Sequence, residues 1–129
     1  MHRCLLTASV ALTLAAPGFG FAQAQFQRNF PAKALRGEMV VTGAPEVTLN
    51  GKPARLAPGS RIRDQNQMLL MSGAITGQKL IVNYTVEQYG LLQDVWVLRP
   101  AEIAKTWPKT PAEAATWSFD PIGQTWTKP

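Results

Sequence analysis

The stretch from Lys79 to Leu98, KLIVNYTVEQYGLLQDVWVL, restricts what this chain can become more than any other. Two runs rich in Val, Ile, Leu and aromatic residues flank Glu87-Gln88-Tyr89-Gly90, and Gly90 is free to take a positive φ. β-Prone runs on either side of a glycine-bearing turn mark a β-hairpin. Pairing through a two-residue or a four-residue loop puts the same side chains on the same faces. One face gathers Leu80, Val82, Tyr84 and Val86 against Leu91, Val95 and Val97, with Gln93 its only polar member. The other sets Lys79, Ile81, Asn83 and Thr85 against Leu92, Asp94, Trp96 and Leu98. The first is a core face; the second is apolar enough to need partial cover.

The chain opens MHRCLLTASVALTLAAPGFGFAQAQ: a short basic start, an apolar run from Cys4 to Phe21, then Ala22-Gln23-Ala24. This order of basic, apolar and small-x-small segments is that of a secretory signal peptide, with cleavage expected after Ala24 and a periplasmic or secreted product. The alternative is an uncleaved anchor, but Pro17, Gly18 and Gly20 interrupt a run that would need about 20 apolar residues to span a bilayer. Cys4 precedes the apolar run, which argues against a lipoprotein anchor.

Removing 24 residues of 129 leaves 105, enough for one small domain with no transmembrane span. That remainder has neither Cys nor His, since Cys4 and His2 are the only ones. No disulfide can form in it, so stability has to come from burial. Its 12 basic and 8 acidic residues give a net charge of +4. A basic exported domain suits an anionic envelope polymer or an envelope protein, and the same charge serves plain solubility. Nucleic acid is not a partner expected outside the cytoplasm.

Residues 25–34, QFQRNFPAKA, are polar and broken by Pro31, and read as a linker or an approach to the first strand. Leu35 to Thr42 reads as that strand, with Gly37 a candidate bulge. Glu46–Leu49 and Lys52–Leu56 flank Asn50-Gly51, the strongest two-residue hairpin signal, and Pro53 sends the return strand to an edge or a bulge. Ala57-Pro58-Gly59-Ser60 reads as a turn, Arg61-Ile62-Arg63 as a restarted strand, Asp64–Gln67 as an interruption and Met68–Met71 as a short apolar run. Short strands spaced by Gly, Pro and Asn turns predict an all-β fold: a small barrel of about six strands over residues 35–99, OB-like or SH3-like, with a compact sandwich as the alternative. Closure into a barrel removes edges that so small a domain cannot shield.

After Arg99 the pattern changes. Pro100–Trp107 and Pro111–Trp117 share P-A-E, a following Ala and a closing T-W. Thr110, Pro111 and Glu113 form an N-cap, a first-turn proline and a capping-box acid. Residues 100–129 are thus expected to be a tail of one or two short helices and an extended or irregular end. Helices this short need tertiary contact. Trp107, Trp117 and Trp126 lie on a segment with no core of its own, while the hairpin offers Ile81, Leu92, Trp96 and Leu98 on an uncovered face. Burying a large aromatic is worth about 3 kcal/mol, so the tail is expected to fold over that face. In the rival reading Trp96, Trp107, Trp117 or Trp126 stays exposed as a platform for a sugar or a protein partner.

Several chemistries are closed to residues 25–129. Without His or Cys there is no Ser-His-Asp or Cys-His relay, no thiol nucleophile and no zinc site of the usual kinds. No glycine-rich phosphate loop is present, and no cofactor is implied. Eight carboxylates remain, but Glu87 and Asp94 are at best diagonal neighbours on the hairpin, a poor start for a paired-carboxylate hydrolase. Asp64-Gln65-Asn66-Gln67 lacks the glycine and closing glutamate of a calcium loop. Arg55, Arg61 and Arg63, with Lys52, form a candidate anion-binding stripe, or else a charged face that blunts an edge strand. No catalytic residue is assigned. The expected role is a non-catalytic module that binds or stabilises an envelope component; the alternative is an accessory subunit of an envelope assembly docking through the hairpin face or the tail, and a carboxylate-based hydrolase of an envelope polymer is the minority reading.

Four segments, FPAKALRG (30–37), LNGKPARLAPGSRIR (49–63), VNYTVEQYG (82–90) and VWVL (95–98), resemble short exported proteins of beta-proteobacteria of unassigned function. The resemblance implies export and carries no catalytic residues. The rhythm of strand, Asn-Gly, strand, Pro-Gly, strand is also similar to small exported OB-like barrel domains, which implies a fold and not an activity.

Overall fold

The structure, a computed structural model, describes residues 27–129; the expected signal peptide and its cleavage site after Ala24 lie outside the described residues. The hairpin read from the sequence is present as β5 (Lys79–Val86) and β6 (Leu92–Val97). Its loop is held by Glu87, whose carboxylate accepts from the backbone N–H groups of Tyr89 and Leu91, and Gly90 takes φ +80°. Asn50 and Gly51, at φ +54° and +80°, join β2 (Glu46–Leu49) to β3 (Lys52–Arg63) as a type I′ turn. In that two-residue hairpin Leu49 and Lys52 form the hydrogen-bonded pair, so Pro53 opposite Thr48 falls where no ladder donor is required.

Five strands close on themselves. β1 (Leu35–Gly43) pairs antiparallel with β2 and with β5; β2 pairs with β3; β5 pairs with β6; and β6 returns parallel to β3. This ring, β1-β2-β3-β6-β5-β1 with one parallel closure, is the Greek-key connectivity of an OB-type barrel and not of an SH3-like one. A sixth strand, β4 (Leu69–Leu70), adds to the far end of β3, and one 3₁₀ turn (Ser72–Ile75) drops Ile75 into the barrel's interior. Met39, Val41, Val47, Leu56, Ile62, Val82, Tyr84, Leu92, Val95 and Val97 fill that interior with Ile75 and Leu35.

Four details differ from the sequence reading. Leu92 belongs to the barrel core and not to the outer face, and Gln93 is exposed. The register slips by one between Tyr84–Val95 and Val86–Leu92, so a bulge in β6 exchanges the faces. Ala57–Ser60 is not a chain-reversing turn. It is an irregular stretch within one long β3, which bends there as it leaves β2 to reach β6, with Gly59 at φ +77°. Gly37 sits in regular register opposite Val82; it is glycine because a Cβ would meet Leu49 at 2.9 Å and Tyr84 at 3.0 Å. Residues 27–34 are not a free linker, since Arg28, Phe30 and Ala34 are all buried.

The tail contains α1 (Pro100–Ile103) and α2 (Pro111–Thr116), and Thr110 caps α2 by accepting from the Glu113 N–H. It ends in a small hairpin, β7 (Ser118–Asp120) with β8 (Thr125–Thr127), in which Phe119 faces Trp126. Together with the 27–34 arm this tail covers the outer face of β5 and β6. Phe30, Ala34, Leu98, Trp107 and Trp126 form a second buried cluster, with Ile81, Trp96, Trp117 and Phe119 packed against it. Phe30 meets Trp96 and Trp107 edge-on at 5.4 and 5.7 Å, and Phe119 stacks on Trp126 at 4.7 Å. These are favourable aromatic geometries. No helix among the described residues is long and apolar enough to cross a membrane.

Candidate functional site

Where the arm, the barrel and the tail meet, charged side chains are buried beside the aromatic cluster. Arg28, 4% exposed, reaches from the arm to α1 and donates through Nε and Nη2 to the two carboxylate oxygens of Glu102. It also donates to the carbonyls of Asp64 and Val97, and its guanidinium lies 5.3 Å from the Phe30 ring centre. Arg36 points outward from β1, because it alternates with Leu35, Gly37 and Met39 on the inward face. It donates to Asn83 on β5 and to the carbonyls of Glu102, Ile103 and Lys105. Glu102 returns to accept from the Arg99 N–H, closing the first turn of α1. Burial by itself would raise the Glu102 carboxyl; the hydrogen bonds from Arg28 and from the Arg99 N–H, with the charges of both guanidiniums, outweigh it and hold the group below its ordinary value. Burial pushes the Arg36 guanidinium down, against the opposing pull of Glu102.

Beside this knot lies a cleft of about 180 Å³ lined by Arg28, Phe30, Arg36, Arg99, Glu102 and Trp107, among others. An adjoining, more open groove shares Arg36, Lys105 and Trp107 and adds Lys109, Glu113, Trp117 and Lys128. Six basic residues and two acids therefore line the pair. The other charged residues of the described chain balance, with six basic (Lys33, Lys52, Arg55, Arg61, Arg63, Lys79) against six acidic (Glu38, Glu46, Asp64, Glu87, Asp94, Asp120). The whole net charge of +4 carried by residues 25–129 is thus concentrated at these two clefts.

The residues singled out from sequence fall into different places. Trp107 and Trp126 are buried, and Trp107 donates from its indole to the Ala34 carbonyl at 2.8 Å. Trp96 is half-buried under Phe30. Trp117 is half-buried at the rim of the open groove, with Lys128 Nζ 5.2 Å from its ring. On β3, Arg55 pairs with Glu46 and Arg63 with Asp94, each at 3.6 Å, while Arg61 is exposed. Arg61 and Arg63 share a strand face, Arg55 lies before the bend in β3, two of the three have acid partners, and none lines the basic clefts.

Each of the eight carboxylates has a local task. Glu38, Glu46, Asp94 and Glu102 pair with cations. Asp64, Glu87, Glu113 and Asp120 cap turns or a helix start. Asp64 accepts from the Asn66 and Met68 N–H groups, which explains the Asp64–Gln67 segment as a turn. No group of three or more potential metal ligands is assembled among the described residues.

Arg28, Arg36, Arg99 and Lys105 were not picked out by sequence reasoning. Arg36 beside the inward-facing Leu35 in the strand start LRGEMVV was the available signal. The charge concentration had none, because it is assembled from three separate segments. No family model matches the chain, and no curated protein or solved structure matches it.

Proposed function

We propose that this protein is a non-catalytic, exported OB-type binding module that holds an anionic component of the cell envelope against its tail. The observation that carries this reading is the placement of the entire charge excess at two adjoining clefts with aromatic walls. Guanidinium and ammonium groups beside low-dielectric aromatic walls attract anions more strongly than the same charges spread over a surface. The engagement of all eight carboxylates in caps and ion pairs supports a binding role over hydrolysis. Export rests on the basic, apolar and small-residue order of residues 1–24.

The test is retention of the protein on immobilised polyphosphate across a salt gradient. Changing Lys105, Lys109 and Lys128 to Glu is expected to abolish retention at physiological salt, while the same change at Arg55, Arg61 and Arg63 leaves most of it. The reverse pattern would return the site to the β3 stripe.

One feature favours a second reading, an accessory subunit of an envelope assembly. The run from Gln65 to Gln78 carries no charge and exposes Met68, Leu69 and Met71 along the β4 edge. Since the hairpin's outer face is occupied by the chain's own tail, this edge, which groups three exposed large apolar side chains, is an apolar surface left for docking. Replacing Met68, Leu69 and Met71 with Ser, without loss of co-purification with an envelope complex, would remove it.

A further inference from the structure

Within the smaller cleft one guanidinium keeps a buried donor with no hydrogen bond. Arg99, at the junction of β6 and α1, has a side chain only 14% exposed, and its Nε is buried with no hydrogen-bond acceptor among the described residues. The nearest carboxylate oxygen, Glu102 Oε1, is 3.8 Å away. That is beyond hydrogen-bond reach. The same oxygen already accepts from Arg28 Nη2 and from the Arg99 N–H, so it has no capacity to turn toward the guanidinium. A buried, charged donor without an acceptor is costly, and native structures rarely keep one without a reason.

Two further guanidiniums line the same cleft. A guanidinium offers five N–H groups. Arg28 spends four of them on Glu102, Asp64 and Val97, leaving one on Nη1. Arg36 likewise spends four on Asn83, Ile103, Lys105 and Glu102, leaving one on Nη2. Both side chains line the cleft with Arg99, and Glu102 is its only acid. Phe30 and Trp107 supply the apolar wall.

We propose that this cleft is a phosphate-ester site in which Arg99 is the anchoring residue and the spare N–H groups of Arg28 and Arg36 complete the contacts. The proposal deepens the anion-binding reading above and rests on it. Donors arriving from three elements, the arm, β1 and the β6–α1 junction, suit a group with three acceptor oxygens pointing in different directions. A planar carboxylate presents only two. Clefts that enclose a whole drug-sized molecule measure about 300–1,000 Å³. At about 180 Å³ this one takes a single terminal phosphate of a longer ligand, the remainder running out past Ala101 and Lys105 into the open groove.

The test is titration calorimetry of the purified protein with inorganic phosphate, glycerol 1-phosphate and acetate, and sedimentation with vesicles containing phosphatidic acid, a lipid phosphomonoester. Phosphate and its ester are expected to bind at least tenfold more tightly than acetate. Arg99→Gln is expected to lose at least tenfold, and Lys109→Gln, which touches only the open groove, to lose less than threefold. Should Arg99→Gln fail to fold, Ala101→Phe fills the cleft mouth from an exposed position and is expected to abolish binding with the unfolding midpoint unchanged. Vesicle binding displaced by glycerol 1-phosphate identifies a lipid headgroup as the source; soluble-ester binding without sedimentation identifies a polymer or free ester. Both outcomes support the site. Equal affinity for acetate, or phosphate binding undiminished in folded Arg99→Gln or Ala101→Phe, overturns it. Retention on polyphosphate with no binding of phosphate or its ester overturns it while leaving the broader anion-binding role standing.

Discussion

Inside the barrel the core is almost wholly aliphatic and is supplied by one continuous run of chain, residues 35–97. On the outside, the layer over β5 and β6 is aromatic, and its residues come from the two flanks, Phe30 and Ala34 before the barrel and Leu98 to Trp126 after it. The two also differ in how they treat polar groups. The barrel core cluster contains no charged side chain. The outer layer encloses Arg28, Arg36, Asn83 and Gln124, each bonded across segments distant in sequence. The contrast teaches that the strands of a small β-barrel are specified largely by local pattern, whereas its cover is fixed by a few directional contacts that join the ends of the chain.

Severing the cover gives the largest expected effect. A chain ending at Pro100 loses Trp107, Trp126, Phe119 and the Glu102 partner of Arg28, and exposes Ile81, Trp96 and Phe30. Loss of cooperative unfolding by circular dichroism and collapse of amide NMR dispersion are expected; a dispersed spectrum would make the cover an ornament on an independent barrel. Next, Trp107→Ala is expected to cost about 3–5 kcal/mol and Met39→Ala about 2–5 kcal/mol, so that one residue of the cover matters as much as one of the core. Denaturant titration measures both, and a Trp107→Ala cost under 1 kcal/mol would break the comparison.

Glu102→Gln sharpens the contrast, because it removes half of a buried ion pair at a cost of about 3 kcal/mol. It also carries a pH signature. The Glu102 carboxyl sits below its ordinary 4.5 when folded, so the unfolded chain takes up the proton first as pH falls. Its contribution is complete above that value and is lost as pH drops through the folded value. Stability of the wild-type protein between pH 5 and 3 is expected to fall more steeply than that of Glu102→Gln; parallel profiles would contradict the clamp. The smallest effect is expected on the barrel's open face, where Arg63→Gln removes a half-exposed pair with Asp94 and costs less than about 1 kcal/mol.

The same contrast explains what could be read from the sequence. Asn50-Gly51, the β5–β6 alternation and the Thr110–Pro111–Glu113 cap are short-range signals, and each led to its element. The β6 bulge had no such mark. Leu91 and Leu92 are both apolar, so which one turns inward depends on the fit against β5 and β3 and not on either residue. The long β3 was read as two strands because Pro58-Gly59 looks the same whether the chain reverses or only bends. The arm reads as a linker or an approach to the first strand because its polar residues carry no sign that Arg28 will find Glu102 at a separation of 74 residues. The basic clefts escaped notice because Arg28, Arg36 and the tail lysines meet only in three dimensions.

All four tryptophans lie in or against the outer layer and none lies in the barrel interior, which makes the central claim directly measurable. Indole fluorescence reports the cover, and far-ultraviolet circular dichroism, dominated by the barrel strands, reports the rest. If the cover is integral to the fold and holds the basic clefts in one shape, the two signals trace a single denaturation curve with one midpoint. A fluorescence transition completed at a lower denaturant concentration than the loss of β-structure would show the cover peeling from a stable barrel, and would contradict the account.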